Sequence, residues 1–557
     1  MASATDTADV LDELRDRAEA WIVDDPDPAC RSELRRLIDQ LPGTAAELAD
    51  RFAGPLVFGT AGLRGPLRAG PNGMNLAVVT QAAAGLVTWL TARGTPGPLV
   101  IGYDARHGSR SFAEQTARVA TGAGRPALIL PRPLPTPVLA YAVRALGAVA
   151  GVMVTASHNP PQDNGYKVYL DDGAQIAPPV DRQIEAAIRA VGPLVRVPLG
   201  EPGEVLGEEI VTSYLDGAVA VVERDGFRDL AVAYTPLHGV GAPVLTAAFA
   251  RAGFATPAVV AEQAEPDPDF PTVMFPNPEE PGAVDRLIAL AEANGADIAI
   301  ANDPDADRCA VAVPTGPAGS PSANGARGWR MLRGDEVGVL LADHLMRRGV
   351  RGRYATTIVS SSLLKAMCAA RGRPYGETLT GFKWIVRAGD DLVYGYEEAL
   401  GYCTAPDHVR DKDGITAALL VAELAAGLKA ELCTLTDRLD EIAAEFGVYA
   451  TDQLSVRVDA PHEIQEIMTR LRSKLPGALL DEPVTTVEDL LPDADVVILR
   501  TESARVVVRP SGTEPKLKAY LEVVEQVAED DIPAARERAA ASVRALHTET
   551  AAALGIW

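Results

Sequence analysis

The chain is poor in cysteine and in basic residues, and it has no unbroken apolar run long enough for a bilayer. Its five cysteines, Cys30, Cys309, Cys368, Cys403 and Cys433, make an odd set without C-x-x-C spacing. That excludes a disulfide framework and a zinc ribbon and points to a reducing, cytoplasmic setting. Lysine and arginine number 52 against 76 aspartates and glutamates, a formal net charge of -24. So acidic a chain lacks the basic face that phosphate-backbone binding needs, and nucleic acid is excluded as a partner. The opening residues Met1 to Asp6 have no basic region followed by an apolar core, and the most apolar helical stretches are broken, as by Glu423 and Lys429. Neither a signal peptide nor a membrane span is expected. Nucleotide motifs are missing too. Gly239-Val240-Gly241 has Val244 where a dinucleotide fingerprint needs its third glycine, and Gly376 to Lys383 puts Phe382 where a P-loop needs lysine.

What is present is enough chain for several cores. The 557 residues are 47% hydrophobic, room for about three to five domains. Residues 1 to about 50 carry helical periodicity in Val10 to Arg15 and Glu33 to Ile38, broken at Asp25-Pro26-Asp27-Pro28. Then a unit recurs: Pro98 to Arg106 leading to a helix from Ser111, Leu230 to Gly239 to one from Pro243, and Tyr354 to Ser361 to one from Leu363. Each is an apolar strand, a small or polar loop and a helix, the grammar of parallel α/β units. From about Ala450 the pattern changes to a smaller α+β unit.

Five loops carry residues suited to phosphate chemistry. Thr155-Ala156-Ser157-His158-Asn159-Pro160 follows the apolar Gly151 to Val154, a buried strand ending where a hydroxyl can face a cavity. Asp303-Pro304-Asp305-Ala306-Asp307-Arg308 follows Ile298 to Ala301; in an extended loop its three alternate carboxylates point one way and suit Mg²⁺. A calcium EF-hand fails, because Arg308 and Pro314 stand where glycine and glutamate are required. The Pro/Gly/Ser-rich stretch from Pro314 to Gly328 is expected to be an exposed hairpin loop. Gly59-Thr60-Ala61-Gly62-Leu63-Arg64-Gly65 offers glycines for close approach to an anion and one guanidinium. Gly395-Tyr396-Glu397-Glu398 follows Thr380-Gly381-Phe382-Lys383. Arg509-Pro510-Ser511-Gly512-Thr513-Glu514-Pro515, followed by Lys516 and Lys518, makes a phosphate cradle and supplies the local basic cluster that an anionic substrate needs against the overall charge. Taken singly, each loop also has a bland reading as a turn, a helix start or a solvated acidic loop.

Together, T-A-S-H-N-P, D-x-D-x-D-R, G-x-E-E and R-P-S-G-T-E-P, in that order across nearly the whole chain, resemble the α-D-phosphohexomutase superfamily, the phosphoglucomutases and phosphomannomutases. The resemblance implies four domains around a central cleft, three related α/β domains and a C-terminal α+β domain, with boundaries at 1–214, 215–328, 329–447 and 448–557. It implies that Ser157 is phosphorylated and that Asp303, Asp305 and Asp307 bind Mg²⁺ with an oxygen on Ser157. His158, Lys167 and Arg308 would surround the transferring group, and Lys383 would assist proton transfer. Thr60, Arg64, Glu397 and Glu398, with Arg509, Ser511, Gly512, Thr513 and Lys518, would bind the sugar phosphate. The implied activity is interconversion of hexose 1- and 6-phosphates, with glucose 1,6-bisphosphate as activator, in a monomer or small homo-oligomer. Many family members have serine after the paired glutamates, where this chain has Ala399; the form Y-E-E-A-L-G-Y is closer to phosphopentomutases and bisphosphate synthases. A non-catalytic sugar-phosphate-binding regulator is the alternative from another class.

Overall fold

The structure, a computed structural model, describes residues 4–315, 328–458, 461–511, 516–528 and 531–556. Most of the hairpin loop expected from Pro314 to Gly328, and Gly512 and Thr513 of the phosphate cradle, lie outside the described residues. The chain forms two compact units, one of residues 1–331 with 401–426 and the other of 332–400 with 427–557.

In the first unit, helices Ala4–Asp24 and Pro28–Asp39 flank the Asp25 to Pro28 break. Asp27 caps the second by accepting from the Ala29 amide at 2.9 Å, with Pro28 in the first turn. A six-stranded sheet follows, in the order Leu63–Pro66, Asp163–Leu170, Ala150–Val154, Leu99–Tyr103, Ala127–Ile129, Glu204–Val205. Its central strands Leu99–Tyr103 and Ala150–Val154 are parallel and buried throughout, as their near-continuous apolar runs require of strands covered on both faces. In the five-stranded second sheet, Val232–Thr235 lies parallel to Ile298–Ala301, and Ala310–Thr315 returns antiparallel beside the latter.

The second unit has parallel strands Tyr375–Thr378, Arg353–Thr357 and Leu392–Glu397 with helices Gly334–Arg347 and Leu363–Ala370. Its other part is a five-stranded antiparallel sheet, Val448–Arg457, Lys516–Glu525, Ala504–Pro510, Val497–Arg500 and Thr486–Asp489, packed with helices Pro461–Ser473 and Ile532–Leu554. The architecture is three α/β domains followed by a C-terminal α+β domain. No helix among the described residues is long and apolar enough to cross a membrane.

Candidate active site

The serine loop begins where Ala150–Val154 runs out. Ser157 is buried at φ +51°, left-handed backbone that residues other than glycine adopt only when held there. What holds it is Arg106, at the end of the adjacent strand, where Tyr103 pairs with Val154. Its buried guanidinium donates to the carbonyls of Ser157 (2.6 Å), Asn159 (2.5 Å) and Pro160 (2.8 Å). Thr155 Oγ1 accepts the Ser157 amide at 2.9 Å. The glycine loop meets this one through Arg64, whose guanidinium donates to Asn159 Oδ1 at 3.0 Å. Thr60 stands half-buried in the preceding turn, and Gly62, at φ +77°, lies where a Cβ would come 1.8 Å from the Tyr166 carbonyl.

So fixed, the Ser157 hydroxyl donates to Asp303 Oδ2 at 2.8 Å. Asp303, Asp305 and Asp307 are fully buried and offer oxygens within 4.8 Å of one another. The metal loop is not extended, so alternate spacing is not what aligns them. It is a turn, with Ala306 at φ +51° and its amide bonded to the Asp303 carbonyl at 2.9 Å, and the fold-back makes the carboxylates converge. Lys167 reaches Asp305 at 2.8 Å and Asp307 at 3.2 Å, Lys412 lies 3.4 Å from Asp307, and Arg308 Nε lies 3.8 Å from Asp303. Thr136 Oγ1 donates to Asp305 Oδ2 at 2.6 Å.

Burial and the facing Asp305 and Asp307 push the Asp303 carboxyl well above the usual range. For Asp305 the burial penalty is outweighed by Lys167 and the Thr136 hydroxyl, which hold it below that range. Burial also opposes the Lys167 charge, yet Asp305 and Asp307 prevail and hold its ammonium above the ordinary value. At His158, burial backed by the Arg308 and Arg64 charges keeps the imidazole well below its usual value, neutral at pH 7. Asp305 Oδ1 and Asp307 Oδ1 find no hydrogen-bond donor among the described residues. Two such oxygens beside a third carboxylate fit a hard divalent cation, which repays the desolvation of charges that otherwise repel.

The second unit gathers the remaining groups. Glu397 ends the strand Leu392–Glu397 and Glu398 follows it, with Ser360 Oγ 3.1 Å from Glu398 Oε2. Arg509 and Lys518 are cross-strand partners, and the Lys518 ammonium sits 6.0 Å from the Tyr520 ring centroid. Buried Tyr520 is raised above the usual phenol range by burial and Glu398, with Arg509, bonded to it, acting the other way. Ser511 is half-buried at the end of its strand, its amide donating to the Lys516 carbonyl at 2.7 Å. Lys383 is half-buried on the short helix Phe382–Ile385, after Gly381 at φ +108°.

Sequence reasoning missed Arg106, Thr136, Lys412 and Tyr520. For Arg106 a signal existed, since an arginine three residues past a buried strand sits at the same sheet edge as the serine loop.

The match to known proteins covers the whole of this layout. Phosphoglucomutase/phosphomannomutase, alpha/beta/alpha domain I matches residues 55–193, domain II 212–316 and domain III 333–445, and the C-terminal domain matches 456–539. A Haemophilus influenzae protein named probable phosphomannomutase is 44% identical over 461 residues, 81% of this chain and 93% of its own. Mouse phosphopentomutase is 33% identical over 570 residues, 90% of this chain and 89% of its own. A crystal structure assigned as a phosphomannomutase of Thermus thermophilus superposes with a TM-score of 0.70 at 26% identity, over 89% of this chain and 99% of that one. The chain therefore belongs to the phosphoglucomutase/phosphomannomutase family.

Proposed function

We propose that the protein is a Mg²⁺-dependent phosphosugar mutase that interconverts hexose 1-phosphate and hexose 6-phosphate through a phosphorylated Ser157 and a hexose 1,6-bisphosphate. The observation that carries this reading is a buried hydroxyl 2.8 Å from Asp303, in a cluster where two carboxylate oxygens lack a donor among the described residues. Asp303, Asp305, Asp307 and an oxygen on Ser157 would hold Mg²⁺, which when bound offsets negative charge on the oxygens of the transferred group. The bond from phosphorus to Ser157 Oγ breaks as one forms to the sugar hydroxyl, whose proton passes to Lys383 as the base. The bisphosphate, turned over, returns its other phosphoryl group to Ser157 as the bond from phosphorus to the sugar oxygen breaks, and the freed oxygen takes back the proton from Lys383. Arg308 and Lys167 supply further positive charge, neutral His158 offers a hydrogen bond, and Glu397 and Glu398 read sugar hydroxyls. Arg509, Ser511 and Lys518, with Gly512 and Thr513, grip the phosphate that does not react, while Thr60 and Arg64 contact substrate from the glycine loop. Glucose 1,6-bisphosphate would activate the enzyme by phosphorylating Ser157. The four domains are assigned to 1–214, 215–328, 329–447 and 448–557.

Phosphate monoesters are among the slowest compounds to cleave unaided, so loss of the acceptor hydroxyl leaves no fallback route. Ser157→Ala is expected to abolish turnover of glucose 1-phosphate with catalytic glucose 1,6-bisphosphate. Retained activity, or a phosphoryl group located on Asp303 by peptide mass spectrometry, overturns the reading. Ala399, together with the similarity to a phosphopentomutase, favours a pentose phosphate as the second reading. Comparing kcat/KM for glucose, mannose, ribose and deoxyribose 1-phosphates decides between them.

A further inference from the structure

The strand Arg353–Thr357 does not pass straight into its helix. It runs through Ile358 to Ser362, where Thr357, Ser360 and Ser361 are buried. Hydroxyls at a strand end are ordinarily spent on turns, but here each serine is bound to a different element. The Ser360 hydroxyl accepts the Glu398 amide at 3.2 Å and donates to Glu398 Oε2 at 3.1 Å. Thr357 Oγ1, 2.9 Å from Ser360 Oγ, completes a polarised chain. One hydroxyl thus fixes Glu398 at both backbone and carboxylate. Ser361 gives its amide to Asp335 at 2.7 Å, and Ser362 gives its amide (2.8 Å) and hydroxyl (2.6 Å) to Glu522.

Across the antiparallel ladder Glu522 faces Arg505, and the two form a buried ion pair at 3.4 Å. The Arg505 guanidinium donates to the carbonyls of Ser360 and Ile358. Side chains two and four residues along a strand share one face. The register therefore sets three cross-strand pairs in a row on that face: Arg505 with Glu522, Val507 with Tyr520, and Arg509 with Lys518. Val507 and Tyr520 pack on Ile358 and Val359. The face that clasps the loop from Ile358 to Ser362 at one end carries the cationic groups at the other.

We propose that Ser360 and the Arg505–Glu522 pair are positioning residues that fix the span from Glu398 to Arg509, so that the second unit selects a sugar phosphate by the distance between the hydroxyl it reads and the phosphate it grips. This rests on the mutase reading for the roles of Glu398 and Arg509, but the mechanical link does not. A buried ion pair is rarely more stabilising than the apolar side chains that could replace it, and its directional bonds are what apolar packing lacks.

Two variants test it: Ser360→Ala, and the paired Arg505→Met with Glu522→Leu, which removes both charges together and leaves neither stranded. Hydrogen exchange should show the Glu398 amide about tenfold less protected in both, while residues 303–308 keep wild-type protection. The ratio of kcat/KM for glucose 1-phosphate over ribose 1-phosphate should move about fivefold or more, mainly through KM. Unchanged exchange at Glu398 overturns the link whatever the activity, and loosened exchange with an unchanged ratio overturns the selecting role. If the wild-type protein turns over no sugar phosphate, the mutase reading and the selecting role fall together, while the exchange result still decides the link.

Discussion

Thr136 shows how much of the proposed metal chemistry depends on a residue that binds no metal. Fully buried, it gives its hydroxyl to Asp305 Oδ2 at 2.6 Å and its amide to the Asp305 carbonyl at 2.9 Å. Outer partners of this kind orient the ligands, and losing one costs about 10- to 100-fold in metal affinity. Thr136→Val, close in shape, is expected to weaken Mn²⁺ binding by that much in an electron paramagnetic resonance titration; unaltered binding would show that Asp305 needs no such orientation. Asp335 makes a different prediction. Burial, reinforced by Glu398 and Glu522 against the Ser361 amide and Arg505, pushes its carboxyl up to about 7 from 3.8. Between those values the unfolded chain is ionised and the folded one is not, so folding takes up a proton. The stability present at low pH is therefore lost as pH rises from about 4 through 7, in all on the order of 4 kcal/mol. Asp335→Asn keeps the acceptor and removes the titration. Its melting temperature should gain on the wild type between pH 4.5 and 8; a constant difference would mean Asp335 titrates normally. Neither residue was legible in the sequence, because threonine before proline and aspartate at a helix start are commonplace until the fold shows what they face.

At the scale of elements, the strand, loop and helix units were legible because their strands are covered on both faces and read as unbroken apolar runs. The turn geometry was not. The metal loop's carboxylates converge through a fold-back at Ala306, which alternation in sequence cannot reveal. Gly239 is a second case. Gly239-Val240-Gly241 reads from the sequence only as a failed nucleotide motif, yet a Cβ on Gly239 would lie 2.3 Å from Pro304 Cα. Behind it the Val240 amide donates to the Pro304 carbonyl at 2.9 Å, and Leu237 and His238 turn the chain at φ +47° and +59°. The glycine is there so that one backbone can rest against the back of the metal loop. Gly239→Ala forces that loop outward. Overpacking of this kind costs about 1 to 3 kcal/mol, and metal affinity should fall at least about tenfold because ligand geometry is displaced. Stability lost with metal affinity intact would show that the loop absorbs the strain without moving its carboxylates.

For the whole molecule, the net charge of -24 poses a question for a protein proposed to bind sugar phosphates. The fold answers it locally, since Arg64, Arg106, Lys167, Arg308 and Lys412 converge around the serine and metal loops of the first unit. In the second, Arg505, Arg509 and Lys518 share one strand pair. The order of the four loops was legible as a resemblance, but their partition was not, because residues 401–426 return to the first unit after the glutamates have joined the second. That partition is a division of labour. The groups proposed to hold the metal and the phosphoryl group lie wholly in the first unit, and those proposed to hold the sugar and its distal phosphate include Glu398 and Arg509 in the second. Glu398→Gln combined with Arg509→Gln should therefore leave Mn²⁺ affinity at its wild-type value. The same variant should weaken glucose 1-phosphate binding about 100-fold or more, since two charge-assisted contacts at about 1.5 to 3 kcal/mol each are lost. Calorimetric titration with each ligand reads the two effects separately. A fall in Mn²⁺ affinity would mean that the metal centre depends on charges outside the unit that contains it.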